Sequence, residues 1–422
     1  MNLARAPRKG NEPTGVRLLS VFIICLMACC HTVAQPAMGR YRTDFSYSPA
    51  DFADTIGIDW QGGQVYVPVT VNGKQYRFLL DTGASQAVVF TDTPMSGCSH
   101  VGSIISHDAT GRADTASMVM LPTVQLGGLH LYGLRATVQK RQLRSQSSPD
   151  GIIGFDLVNG GLSMKIDVPS RQLILTNRKN HFAVAKDGKA IVMKYRKNFH
   201  VPYLDIIPFG SYRERVLFDT GSRQFFSMNK QHFDDAFEAE TTKSGKLMTA
   251  DFVVEGKSFG RHAIGHYGVE PYGEVAFLQL NALRLSDCTF SNLHCLTTQG
   301  LSHLGAPILS YGAVTFIPAR RLFIFQPSDE NSYSPISVGN RQLEIAFVAD
   351  ANGCPQVGLI WEQGEPWRKG LREGDVIEQI DGRPVHSLAQ FIGWPFMRER
   401  EYSFQLRSKD GRRREVRWTR LP

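Results

Sequence analysis

Phe78-Leu79-Leu80-Asp81-Thr82-Gly83-Ala84-Ser85 and Val216-Leu217-Phe218-Asp219-Thr220-Gly221-Ser222-Arg223 carry one tripeptide at the end of the same kind of apolar run. An apolar run of this length reads as a buried strand, and Asp-Thr-Gly reads as the tight turn that ends it. Each copy therefore delivers a carboxylate into a turn. Two such carboxylates make a hydrolytic centre only if they meet face to face.

The flanking sequence repeats in the same order. Before the first copy, Val65-Tyr66-Val67-Pro68-Val69-Thr70-Val71 alternates into Asn72-Gly73, and Tyr76 to Leu80 returns to Asp81. Alternation into Asn-Gly signals a hairpin. Before the second copy, Val201 to Ile207 turns at Phe209-Gly210-Ser211, and Arg215 to Phe218 leads to Asp219. Downstream, Gly151-Ile152-Ile153-Gly154-Phe155-Asp156-Leu157 is matched by His303-Leu304-Gly305-Ala306-Pro307-Ile308-Leu309. Leu162 to Leu173 is matched by Ala313 to Leu322, each a strand, a Pro-containing turn and a strand.

Length and composition agree with this. At 422 residues, with 42 % hydrophobic and 20 % charged residues, the chain has packed cores and room for about three domains. Residues 1–34 read as an export signal: Arg5, Arg8, Lys9 and Arg17 precede the apolar run Leu18 to Cys30, and Thr32-Val33-Ala34 offers a cleavage site. Leu26-Met27-Ala28-Cys29 leaves a lipid-anchored form as the alternative. The mature chain is thus expected to be periplasmic or extracellular, with no membrane span of its own. Without residues 1–34 the net charge falls from +8 to +5, four cations and Glu12 being removed. That is too mild for a nucleic-acid partner, and Arg412-Arg413-Arg414 reads as a solvated hairpin edge. Of the seven cysteines, Cys98, Cys288, Cys295 and Cys354 lie outside the signal, at spacings that fit no zinc pattern. Cys288 and Cys295 either pair or remain free buried thiols.

Two carboxylates held close cannot both ionise cheaply, so the pair carries one proton over a wide pH range. The ionised partner can take a proton from water while the protonated one donates to the attacked carbonyl oxygen, an arrangement for which aspartic proteases are a standard example. In each turn the glycine lets the chain bend tightly behind the carboxylate, and the threonine hydroxyl can tie the two loops together.

The two triplets, with Ile152-Ile153-Gly154 and His303-Leu304-Gly305 downstream, resemble the retropepsin-like and pepsin-like aspartic proteases over about residues 57 to 327. That resemblance implies a mainly β, two-lobed architecture of the double-ψ β-barrel type, with lobes at 57–178 and 190–327. It implies Asp81 and Asp219 as the catalytic pair, and Thr82, Gly83, Thr220, Gly221 and Ser222 as their loops. Gly154 and Gly305 would be the supporting glycine segments. It calls for no cofactor or metal, a polypeptide substrate, and a site complete in one monomer. Three features depart from it. Arg223 stands where the first half has Ser85, and pointing inward it would favour an ionised Asp219. His303 replaces an apolar residue, which reads as a packing adjustment. The flap expected over Val101 to Val119 contains no tyrosine.

After Pro327 a polar stretch, Ser328 to Pro335, reads as a linker. Residues 340–422 then carry Gly370-Leu371-Arg372-Glu373-Gly374-Asp375 and Ile380-Asp381-Gly382, which resemble an α+β PDZ domain of the bacterial protease type. Its helix is expected from Ser387 to before Pro395, presenting Leu388 and Phe391, with a carboxylate-binding loop just before Leu343. By resemblance, such a domain takes a chain end at its sheet edge. The reading is an exported aspartic endopeptidase; the alternative is an inactive peptide-binding pseudoprotease. Gly-x-Ser-x-Gly and His-Glu-x-x-His are both absent, which disfavours serine and metallopeptidase chemistry.

Overall fold

The computed structural model describes residues 44–419, apart from 94, 109, 142–147, 185–189, 197–198, 245–249 and 330–334. The segment read as an export signal, 1–34, lies outside the described residues. Among those described, no helix is long and apolar enough to cross a membrane.

The hairpin signalled by Asn72-Gly73 forms between strands Gln64–Val71 and Lys74–Leu80, in register from Tyr66↔Leu79 to Val71↔Lys74. Asn72 and Gly73 both take positive φ, 50° and 76°, as a two-residue hairpin turn requires. Strand Gly151–Ile153 then inserts beside the Asp81 strand, parallel to it, with Ile153 opposite Leu80. It also pairs antiparallel with Ala87–Phe90, the strand that leaves the Asp81 loop.

The second half repeats this wiring. His303–Gly305 runs parallel to Glu214–Asp219, with Gly305 opposite Asp219, and antiparallel to Phe226–Asn229. The internal repeat seen in the sequence is therefore a repeat of strand pairing.

The halves are joined by a six-stranded sheet to which both contribute. Ser163–Asp167 from the first half pairs antiparallel with Gly312–Ile317 from the second, Met164 opposite Phe316 and Ile166 opposite Val314. Ala53–Gly57 closes one edge against Gln172–Thr176. Phe155 and Phe218 both pack their rings on Phe316, at 5.1 and 5.8 Å. All three are fully buried, and side chains of this kind contribute about 2–3 kcal/mol each. Phe155 follows Gly154 and Phe218 precedes Asp219, so this shared core sits directly beneath the turns.

Among the described residues, Cys98, Cys288, Cys295 and Cys354 form no disulfide with one another. The pairing left open between Cys288 and Cys295 does not form, because the two belong to different sheets. Cys288 sits opposite Leu285, whereas Cys295 sits opposite Leu278. Burial pushes the Cys295 thiol up and keeps it protonated.

The C-terminal residues form a separate sheet in the order Ile345–Ala349, Pro355–Ile360, Val376–Ile380, Tyr402–Arg407, Arg413–Trp418. Helix Leu388–Ile392 starts at Ser387, whose hydroxyl accepts from the Gln390 amide at 3.1 Å. Leu388 and Phe391 are buried, and Phe347 of the edge strand packs on Phe391 at 4.5 Å. The basic run is spent on internal ion pairs: Arg413 with Glu378, and Arg414 with the buried Asp375. This sheet docks on the second half. Leu359 is buried with Val275, Phe277 and Leu296, Trp361 stacks on Phe277, and Arg261 N–H donates to Gly358 O at 2.8 Å.

Candidate active site

The two Asp-Thr-Gly turns face each other at the seam of the halves. A Cβ on Gly83 would fall 2.6 Å from Cγ of Asp219, and one on Gly221 would fall 2.7 Å from Cγ of Asp81. No side chain fits in either place, so glycine is required by close approach. Each glycine also donates its amide to the carboxylate of its own turn, Gly83 to Asp81 Oδ1 at 2.8 Å and Gly221 to Asp219 Oδ1 at 2.9 Å.

The threonines lock the turns together. Thr82 Oγ1 donates to Phe218 O at 2.6 Å and accepts from Thr220 N at 3.1 Å. Thr220 Oγ1 donates to Leu80 O at 2.6 Å and accepts from Thr82 N at 3.0 Å. Both side chains are buried, and the four bonds form a pseudo-twofold lattice under the carboxylates. Ser222 Oγ accepts from Gln224 N at 3.3 Å and stiffens the exit of the second turn.

Burial raises Asp81 well above the ordinary carboxylate range, and the charge of Asp219 and the hydrogen bond to it push the same way. Asp219 is also raised by burial, but the hydrogen bond from Asp81 and the amides of Gly221 and Ser222 pull it back down. Both carboxyls are raised by burial, so the coupled pair holds one proton between them rather than ionising twice.

The glycine segments cross behind the turns. A Cβ on Gly154 would fall 2.6 Å from the Gln86 carbonyl and 2.8 Å from Ala84 O; one on Gly305 would overlap Gln224 O. Ala306 N donates to Ser222 O at 3.0 Å. His303 is buried with Nδ1 at 3.1 Å from Leu301 O, and burial lowers its pKa, so it stays neutral. It fills space behind the second turn.

Asp156 was not singled out as a site residue from the sequence. It is 3 % exposed, accepts the Ala87 amide at 3.1 Å through Oδ2, and has no partner for Oδ1 among the described residues. Burial pushes it up to about 7 against the main-chain amides of Ala87 and Leu157. A raised folded pKa means full stability below the ordinary carboxylate value and progressive loss as the pH rises towards 7. Wild type should therefore lose up to about 4 kcal/mol across that window from this group. Asp156→Asn should lack that slope, as read by denaturant unfolding at a series of pH values. Parallel curves for the two proteins would contradict it.

Other residues around the site left no signal in the sequence because their roles depend on contact across the halves. Gln64 is buried and donates from Nε2 to Gly221 O at 2.6 Å. Its Oε1 accepts from Arg223 Nε at 2.9 Å and Tyr66 Oη at 3.2 Å. Arg223 is thus held on Gln64, and no acid among the described residues pairs with it. Behind the second turn, Glu270 is fully buried and accepts from His262 N, Ala263 N, Thr298 Oγ1 and Gln299 N. Burial would raise it, but His262, Thr298 and those amides outweigh burial and hold it below the ordinary value.

The flap expected over 101–119 is the hairpin Ser99–His107 and Ala113–Met120. Its turn residue Asp108 accepts from Tyr267 N at 2.7 Å, so it touches the loop between strands Phe252–Gly260 and Gly273–Leu280 of the second half. That second hairpin is the one braced by the C-terminal sheet. A tyrosine does reach the flap, but Tyr267 comes from the opposite half. Among the described residues no group of three or more His, Cys, Asp or Glu side chains gathers as a metal site.

Residues 67–157 match a family model described as aspartyl protease. The matched segment contains Asp81, Thr82, Gly83 and Gly154, and the second triplet lies beyond it. No curated protein matches the chain. Among solved structures, the chain is similar to the aspartic proteinase from Irpex lacteus, with a TM-score of 0.41 and 12 % sequence identity. The likeness covers 67 % of this chain and 100 % of that one.

Proposed function

We propose that the protein is an aspartic endopeptidase whose single site is built by both halves of one chain. The observation that carries this reading is the pair of buried carboxylates, each packed against the glycine of the other's turn. Asp219, ionised, removes a proton from a water molecule as the water oxygen bonds to the peptide carbonyl carbon. Asp81 gives its proton to the carbonyl oxygen, so a neutral tetrahedral diol forms. Asp219 then returns its proton to the amide nitrogen, the C–N bond breaks, and a hydroxyl proton goes back to Asp81 as the carboxylic acid forms.

This chemistry needs one proton on the pair. Activity should fall at low pH as Asp219 becomes protonated, and at high pH as Asp81 ionises. Because Asp81 is raised well above the usual range, the upper limb should extend beyond that of a lone carboxylate. The inactive peptide-binding alternative drew on Arg223, and the Arg223–Gln64 hydrogen bond removes that support.

We further read residues 340–422 as a PDZ domain that recruits a chain end at the Ile345–Ala349 edge beside helix Leu388–Ile392, and the N-terminus as an export signal. The test of the main reading is peptide cleavage by residues 35–422 from acidic to neutral pH, with and without a statine-type transition-state mimic. Cleavage blocked by the mimic supports the reading. A folded protein that cleaves no peptide in a degenerate library contradicts it.

A further inference from the structure

Arg223 is exposed four residues beyond Asp219, yet it is not free to wander. Its Nε is fixed on Gln64 Oε1, and the Gln64 amide can sit only one way round. Gly221 O can only accept and Arg223 Nε can only donate, so the amide nitrogen must face the first and the amide oxygen the second. The guanidinium is therefore held to the main chain of the second Asp-Thr-Gly turn through one buried side chain. Its two Nη groups have no hydrogen-bond partner, and no carboxylate lies within ion-pair distance, among the described residues.

The surroundings leave the Nη fork open. Its neighbour from the first half is the Gly62-Gly63 turn, where a Cβ on Gly62 would still lie 3.9 Å from the guanidinium. Pro307 borders the same turn. A positioned, unneutralised guanidinium with an open fork matches a carboxylate held by two parallel hydrogen bonds. The internal repeat adds direction, because the corresponding position in the first half is Ser85, which carries no charge. The two otherwise repeated turns thus differ by one cation.

We propose that Arg223 selects peptides with an aspartate or glutamate on one side only of the scissile bond, and so sets the direction in which the substrate lies. This inference rests on the peptidase reading given above.

The test scans a single Glu, and in parallel a single Gln, through each position of one cleaved peptide. At one position, on one side of the bond, the Glu peptide should have a kcat/KM about tenfold above its Gln twin. That ratio should fall to about one in Arg223→Ser, drop below one in Arg223→Glu, and in wild type shrink from about 0.05 to about 0.5 M salt as screening grows. The same ratio should appear in the affinity of Asp81→Asn for the peptides, which needs no turnover. A wild-type ratio near one at every position, or equal preferences on both sides, overturns the inference. Absence of cleavage would instead contradict the peptidase reading, and the Asp81→Asn affinities would still decide the role of Arg223.

Discussion

Asp81→Asn and Asp219→Asn should each reduce peptide cleavage by at least about 10³-fold, with the fold retained. Asparagine keeps the shape and an oxygen that accepts the Gly83 or Gly221 amide, so the turns and the threonine lattice have no reason to open. What is lost is the proton shared between the residues. With Asn at 219 no group accepts from water, and with Asn at 81 none donates to the carbonyl oxygen. Each substitution also removes the charge that couples the pair, so the remaining carboxyl should titrate singly. Steady-state kinetics at the wild-type optimum and near-ultraviolet circular dichroism give both readouts. A variant that keeps a tenth of the activity would contradict the assigned roles.

Gly305→Ala should be among the most destabilising single substitutions in the chain, costing about 3 kcal/mol or more. The added methyl group would overlap Gln224 O and lie 2.9 Å from Ser222 O. Both are main-chain atoms of the loop that carries Asp219, so relief requires moving the loop itself. Ser222 also accepts from Ala306 N, which ties the displaced segments together and spreads the strain into the turn. Gly57→Ala is the control, since a Cβ there meets nothing within 4 Å. It should change stability by less than about 1 kcal/mol. Chemical denaturation of both variants checks the contrast. Equal effects would mean that the glycine segment does not press on the loop.

What could be read from the sequence was what repeats or alternates. The Asn72-Gly73 hairpin, the two Asp-Thr-Gly turns and the two glycine segments are local signals, and the strand pairings they imply are present. The helix after Ser387 was readable from the proline that follows it, and the Ser387 cap is seen in the structure. The six-stranded sheet that welds the halves was hidden, because nothing local to Ser163–Asp167 says that it pairs with Gly312–Ile317. Gln64, Asp156 and Glu270 were hidden for another reason. Each is a polar residue whose importance comes from burial against a distant segment, and sequence spacing does not encode burial. Arg223 was visible as an anomaly, but whether it faced Asp219 or Gln64 depended on a contact between halves 159 residues apart.

The most direct test of a site completed within one chain is to mix the two inactive variants. Asp81→Asn and Asp219→Asn protein, refolded together from denaturant at equal concentration, should show no more cleavage than either alone, because every molecule lacks one member of its own pair. Recovery of a substantial part of wild-type activity would mean that one chain's Asp81 works with another's Asp219, and that the site forms between chains.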